Sequence, residues 1–334
     1  MAKNLKIGIV IPNKNDSLYL KDCLNSVLNQ SVQPDEIIFI DDGSSDNSVQ
    51  IAKKILKNLI NVTIIKNKKS VGTMSALNQG IMVSKADYLL FLASNDCLMN
   101  AIIAEVKDNL TKHEVIPGIW SALVNLIDES GHVSRIHYSP LISFKPRYFD
   151  KASCIKLANK LGNWFTGTTT FYHRQSLIKI GGFDSRLGGL GDLFAALQLS
   201  AIKGAFFCPK PLGYMRLHGE GLLIKTLKNS TTIDVMLDLI VERGKRNAPL
   251  LFNNCFVKKT IARIRFASMR EMLKSGNLML PASWNSKRIN LLRLINGKIS
   301  NSLLIYLAYI LNRPFDIFYV IYYRAKAFIS ASWL

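Results

Sequence analysis

The chain is short of several things, and each shortage narrows what it can be. Its five cysteines, Cys23, Cys97, Cys154, Cys208 and Cys255, are scattered, with no CxxC pair and no Cys/His ligand spacing. That excludes a disulfide framework and a zinc site, and predicts reduced, buried thiols in a protein facing the cytosol. No GxGxxG follows the first apolar run, where Pro12-Asn13-Lys14-Asn15 stands instead, which argues against a dinucleotide-binding oxidoreductase. Internal repeats and low-complexity segments are missing. The start, Met1 to Lys6, runs directly into a strand pattern without the apolar core of a signal peptide.

Acidic residues are scarce: 23 Asp and Glu against 43 Lys and Arg, a formal net charge of +20 over 334 residues. The imbalance deepens toward the end, where 18 Lys and Arg from Lys225 onward face 5 Asp and Glu. A solvated basic face is the plain reading; an anionic membrane surface or nucleic acid is the functional one. No DNA- or RNA-binding signature accompanies the charge, so the expectation is a membrane surface and no nucleic acid. Leu303 to Tyr323 is very apolar but interrupted by Asn312-Arg313-Pro314 and Asp316. Each half falls short of the roughly 20 residues a spanning helix needs. Helices lying in the membrane interface fit this segment, and a helical subdomain or homodimer interface fits nearly as well.

What is present is a globular composition, with 49% hydrophobic and 20% charged residues, enough to build a large core. Strand and helix patterns alternate through the first hundred residues. Leu5 to Ile11 reads as a buried strand, Ser17 to Gln30 as a helix capped by Asp16 or Ser17, and Ile37 to Ile40 as a second strand. A helix from Asp46 or Ser48 to about Leu59, a strand over Val62 to Lys66, a helix over Val71 to Ser84 opened by Gly72 and a strand over Tyr88 to Leu92 follow. This predicts a Rossmann-like, doubly wound, mostly parallel sheet. Further on, Ile119 to Val124 and the Asp128-Glu129-Ser130-Gly131 turn predict a strand and hairpin, and Phe165 to His173 another strand. A helix over Asp192 to Lys203 and two closing strands, Ala205 to Cys208 and Leu212 to Leu217, complete the pattern. Beyond Gly221 the chain becomes basic and helix-like.

Two acidic turns punctuate the strands: Asp41-Asp42-Gly43-Ser44-Ser45-Asp46 after the second, and Ala93-Ser94-Asn95-Asp96 after the fourth. In open α/β sheets ligands bind at this C-terminal strand edge. As bare chemistry, the turns are either local caps or a nucleotide and metal site.

Together with Ile9-Val10-Ile11-Pro12-Asn13-Lys14-Asn15, Ser26 to Ser31 and Gly72 to Gly80, these turns resemble the start of family 2 glycosyltransferases of the GT-A fold. Gly181-Gly182-Phe183-Asp184 with Asp192, and Tyr214-Met215-Arg216-Leu217-His218, are similar to that family's later motifs. The resemblance covers residues 5 to 220 and implies a GT-A domain over 1–220, with a nucleotide-sugar half (1–100) and an acceptor half (101–220). Residues 221–334 form a basic helical extension, read as a membrane-surface or dimer element.

By the same resemblance, Asp42 accepts a hydrogen bond from a uracil-like base, and Pro12, Asn13, Asn15 and Gly72 belong to the nucleotide pocket. Arg216 contacts the diphosphate. Asp96, Asn95 and His218 are the metal set for Mn²⁺ or Mg²⁺. The family's Asp-x-Asp is depleted here, because Ala93 and Asn95 occupy two of its positions. Asp192 is the base of an inverting transfer, and Gly191 stands where the family often has Glu. The implied function is transfer from a nucleotide sugar, UDP-linked by preference, to a glycan or lipid-linked acceptor in polysaccharide synthesis. The implied place is the cytoplasmic face of the membrane. The alternatives are a catalytically weak relative that still binds nucleotide sugar, and a basic nucleic-acid-binding protein.

Overall fold

The computed structural model describes residues 5–57, 59–137, 139–217 and 221–274. Its first half alternates as expected: β1 (Ile7–Asn13), α1 (Ser17–Leu28), β2 (Glu36–Asp41), α2 (Ser48–Ile55), β3 (Val62–Lys66), α3 (Thr73–Val83) and β4 (Tyr88–Phe91). β1 pairs in parallel with both β2 and β4, and β2 with β3. The second half contributes β5 (Cys97–Leu98), α4 (Ile102–Lys112), β6 (Ile119–Ile127), β7 (Val133–Ile136), β8 (Arg147–Phe149), α5 (Lys151–Leu161), β9 (Thr170–His173), α6 (Arg174–Lys179), α7 (Gly191–Lys203) and β10 (Ala205–Arg216).

The sheet runs β3-β2-β1-β4-β9-β6-β10-β5. β9 enters antiparallel between β4 and β6, while β6 and β10 are again parallel. The α/β, mostly parallel architecture is therefore the one expected. Alternate residues of the strands serve opposite faces. Ile7, Ile9 and Ile11 pack with Leu20 and Leu24 of α1 and with Val106 of α4, whereas Val10, Ile38 and Ile40 pack with Leu77 and Ile81 of α3. Burial on both faces is why these strands read as unbroken apolar runs. α3 lies so close to β1 that a Cβ on Gly80 would fall 2.4 Å from Val10 Cγ1.

Two strand expectations change. The stretch from Phe165 to His173 is strand only over Thr170–His173, because Gly167–Thr169 forms a 3-10 turn. The two expected closing strands are one, β10, with register shifts against β6 on either side of Pro211. Pro209 and Pro211 donate no backbone N–H, so the ladder is interrupted without ending the strand.

The described part of the basic extension is helical: α8 (Leu222–Lys228), α9 (Ser230–Asn247) and α10 (Asn254–Lys274). Its buried side chains, among them Leu227, Leu237, Phe252, Phe256 and Met269, belong to the same hydrophobic cluster as Phe194 and Leu197 of α7. The change near residue 220 is thus one of composition, while packing continues across it. No helix among the described residues is long and apolar enough to cross a membrane. Leu303 to Tyr323, read as interfacial helices, lies outside the described residues.

An ion cluster ties α9 to the domain. Asp184 accepts from Arg186 Nε (2.9 Å) and Nη2 (2.7 Å) and from Arg243 Nη1 (2.9 Å). Arg243 also donates to Ile180 O. The Arg186 hydrogen bonds, seconded by Arg243, hold the Asp184 carboxyl well below the usual carboxylate range against a smaller opposing effect of burial. A depressed folded value adds stability that is present above the unfolded pKa and is lost as the pH falls through the folded one. Asp184→Asn is expected to cost about 2–3 kcal/mol at pH 7, chiefly through the buried Arg243, since Arg186 is too exposed to add much. Urea unfolding at pH 7 and at pH 3 should find the deficit smaller at the lower pH.

Candidate active site

The site lies where β1, β2 and β4 end. At the end of β2, Asp41 is fully buried and accepts from Asn13 Nδ2 (3.1 Å) and Ser44 N (3.2 Å). Asn13 Nδ2 also donates to Ser44 Oγ (3.0 Å), leaving the buried Asn13 Oδ1 without a partner. Asn15, at φ 58°, takes Ser45 N on its Oδ1 (2.8 Å), closing the end of β1 onto the same turn. Gly43 has φ 74°, and a Cβ there would sit 3.0 Å from Ser70 N, so the turn needs glycine on both counts.

Asp42 is committed to its own chain. One carboxylate oxygen accepts from Asn67 Nδ2 (3.0 Å) and Val71 N (2.8 Å); the other accepts from Ser70 Oγ (2.7 Å) and Gly72 N (3.0 Å). A carboxylate offers about four lone-pair positions, and four donors fill them. Burial alone would raise its pKa, but these bonds outweigh it and hold Asp42 below its ordinary value. The geometry therefore leaves no acceptor on Asp42 for the imide of a base. Asp42 fastens the segment from Asn67 to Gly72, and with it the start of α3, onto β2.

At the end of β4, Asp96 is buried, with Oδ2 accepting from Thr168 Oγ1 (2.7 Å) and Oδ1 from Arg216 N (2.9 Å). Burial pushes its carboxyl up to about 6, against the pull of the Arg216 N–H, the Thr168 hydroxyl and the Arg216 charge. Arg216 does not meet the expectation of a diphosphate contact. Its side chain is 3% exposed. Its guanidinium donates to the carbonyls of Asn95 (3.0 Å), Asp128 (3.0 Å) and Glu129 (2.8 Å) and lies 4.6 Å from the Tyr19 ring centre. It braces the Asn95–Asp96 turn from behind. His218 lies outside the described residues.

Between these turns and α7 opens a cavity of about 400 Å³. Pro12, Thr73, Ala93, Asp96, Thr168 and Asp192 all line it. Asn13, Asn15, Asp42 and Gly72 form the adjoining turn network instead, and Asn95 with Arg216 backs Asp96. Among the described lining residues Asp96 and Asp192 are the only carboxylates, and none is Lys or Arg.

Asp192 sits in the first turn of α7, half-buried, with Oδ1 accepting from Leu193 N (2.7 Å). Burial raises its carboxyl above the ordinary value, only partly offset by backbone N–H groups. Gly191 before it is packed: a Cβ there would fall 2.9 Å from Met74 Sδ, so any side chain at this position requires Met74 to shift. Gly167 and Thr168 were missed from sequence. A Cβ on Gly167 would lie 3.0 Å from Asp192 Oδ2, and Thr168 holds Asp96, so one 3-10 turn touches both acids. The only signal was the threonine-rich run Thr166-Gly167-Thr168-Thr169-Thr170.

Residues 8–155 match the family described as glycosyl transferase family 2. The chain is 34% identical over 97 residues to glycosyltransferase GlyG of Streptococcus pneumoniae, a match covering 29% of this chain and 32% of that protein. It is 37% identical over 95 residues to a poly(ribitol-phosphate) beta-glucosyltransferase of Bacillus spizizenii, covering 28% of this chain and 15% of that one. The chain thus spans about a third or less of the length of these two curated relatives. In fold it is similar to S. aureus TarS 1–349 (TM-score 0.60, 16% identity), with 96% of this chain and 89% of that one covered. It is also similar to mannosyltransferase PcManGT of Pyrobaculum calidifontis, a complex with GDP-Man and Mn²⁺ (TM-score 0.57, 12% identity, 93% and 87% covered).

The donor set limits how a cation would be held. Among the described residues no group of three His, Cys, Asp or Glu comes together as a metal site. Asp96 alone offers a carboxylate at the expected turn, and each of its oxygens keeps one lone pair. Such a set suits Mg²⁺ or Mn²⁺ only jointly with phosphate oxygens, as is common for Mg²⁺. Ala93→Asp puts a second carboxylate on the cavity wall beside Asp96. Calorimetric titration with Mn²⁺ and no nucleotide should give little heat with the natural chain and at least tenfold tighter binding with the variant.

Proposed function

We propose that the chain transfers a sugar, with inversion, from a nucleoside-diphosphate donor to an acceptor hydroxyl. The observation that carries the reading is Asp192, a carboxylate of raised pKa on the wall of the cavity at the strand ends, in a chain whose residues 8–155 match glycosyl transferase family 2. Asp192 Oδ2 takes the proton of the acceptor hydroxyl as that oxygen attacks the anomeric carbon. The bond from the anomeric carbon to the β-phosphate oxygen breaks on the opposite face, and the nucleoside diphosphate leaves. α3 begins at the cavity with Thr73, and a helix N-terminus favours an anion there. A divalent cation, where bound, would be held by Asp96 with the diphosphate and would supply positive charge to the leaving group.

We assign base reading to the end of β1, with Pro12 on the cavity wall and Asn13, whose Oδ1 is an unpaired acceptor, directly behind it, in place of Asp42. A UDP-sugar donor goes with that assignment. A glycan or lipid-linked acceptor of polysaccharide synthesis, met at an anionic membrane surface by the basic C-terminal region, remains part of the proposal. A second reading, a weak relative that only binds donor, draws on Ala93 and Asn95 at the depleted turn; it predicts no turnover with any nucleotide sugar.

Asp192→Asn should lower kcat roughly 10³-fold with donor affinity little changed; full activity would refute the base assignment. Because its pKa is raised, kcat of the natural chain should fall as the pH drops through that raised value, at higher pH than for an unperturbed aspartate. Asp42→Ala should loosen the Asn67–Gly72 segment and weaken UDP and GDP alike, whereas Asn13→Ala should narrow the preference between them. Parallel calorimetric titrations with both nucleotides separate the two roles.

A further inference from the structure

Beside the catalytic cavity lies a second chamber of about 280 Å³, walled by α5, α7, α8 and α10. His137, Asn163, Leu193 and Leu223 line both spaces, so the two share a boundary. Leu193 directly follows Asp192, which puts the mouth of the chamber one residue from the base. Pro12, Thr73 and Asp96, the wall residues from the strand ends and the start of α3, line the catalytic cavity and not the chamber.

The chamber differs in chemistry from the cavity it adjoins. Most of its wall is apolar, with Leu161, Leu197, Leu227, Phe256 and Ile264 contributed by four helices, while His137, Ser139, Asn163 and Thr260 add polar groups. Arg263 and Arg270 also line it, but each guanidinium is engaged locally: Arg263 on the carbonyls of Ala158, Asn159 and Lys160, and Arg270 on Glu271. Close-packed interiors leave few voids of this size. A sugar ring pushed among these leucines would leave hydroxyls unpaired. An apolar group meets no such penalty, and about 150 Å³ of such space already accommodates a benzene ring.

We propose that this chamber is an aglycone site: it takes the alkyl or aryl part of an acceptor whose attached hydroxyl-bearing group reaches Asp192. The proposal deepens the transfer reading above and rests on it for the direction in which the acceptor lies. It makes the acceptor an amphiphile of low molecular weight at its reacting end. The helices that follow residue 220 become the ones that choose it.

The test uses the full chain with saturating UDP and two probes, methyl and n-octyl β-D-glucopyranoside, the latter below its micelle concentration. Calorimetric titration is expected to find the octyl glucoside bound at least ten times more tightly than the methyl glucoside. Ala267→Phe, which fills the chamber from α10, should bring that ratio close to one while UDP affinity stays the same. Leu227→Ala, which enlarges the chamber, should raise the ratio for a decyl relative to an octyl chain, and decides the matter if the first variant does not fold. Equal binding of methyl and octyl glucosides by the natural chain, or a preference for octyl that neither variant alters, overturns the proposal. Loss of the transfer reading has a different signature: no nucleotide sugar binds or is turned over, whatever the glucosides do.

Discussion

Arg216 is the interaction on which the site depends. A guanidinium that is 3% exposed must have its donors met, and here the acceptors are carbonyls of Asn95, Asp128 and Glu129, from two loops otherwise far apart in the chain. Its own backbone N–H holds Asp96. One residue at the end of β10 thereby sets the position of the turn after β4 and of the hairpin after β6. The charge is buried against dipoles and the Tyr19 ring, with Asp22 no nearer than 3.8 Å, so removing it would take the side-chain donor from the Asn95 and Glu129 carbonyls, while Asp128 keeps the Gly131 N–H. A lysine could not reach all three, because the planar fork of donors is what matches them.

The two acids of the cavity are held for different work. Asp96 is fixed through both oxygens and backed by a cation, a geometry for keeping a carboxylate in place. Asp192 has one oxygen on its own helix start, while the other lies against the bare Gly167, a geometry for keeping a lone pair available. Burial raises both pKa values, but only Asp96 has a cationic neighbour among its causes. Asp42, the acid of the other turn, is the reverse case, with a pKa lowered by four donors and no oxygen left to share.

Much of the fold was legible because parallel strands buried on both faces leave apolar runs, and β1, β2 and β4 are such runs. β9 and β10 were blurred for physical reasons: a 3-10 turn shortens the first, and prolines interrupt the ladder of the second. Within the site, Pro12, Asp96 and Asp192 were picked out through the family resemblance, and they do line one cavity. The role of Asp42 could not, because its donors lie 25 to 30 residues away in a loop without a distinctive pattern. Arg216 looked like a phosphate ligand because sequence reports a charge and says nothing of whether that charge faces solvent. Gly167 and Thr168 left only a threonine-rich run as a mark, since Gly167 matters through the space it leaves open and Thr168 through a bond to Asp96, 72 residues away.

The shared core of α7 and the helices after residue 220 has a consequence for the order of synthesis. Phe194 and Leu197 sit on the helix that carries Asp192, and their cover includes Leu227, Phe252 and Phe256. Those covering residues leave the ribosome after every strand of the sheet has been made. Until they dock, the face of α7 that carries Phe194 and Leu197 lacks part of its apolar cover. The sheet can therefore form on a nascent chain before the cover over the helix that carries Asp192 is complete.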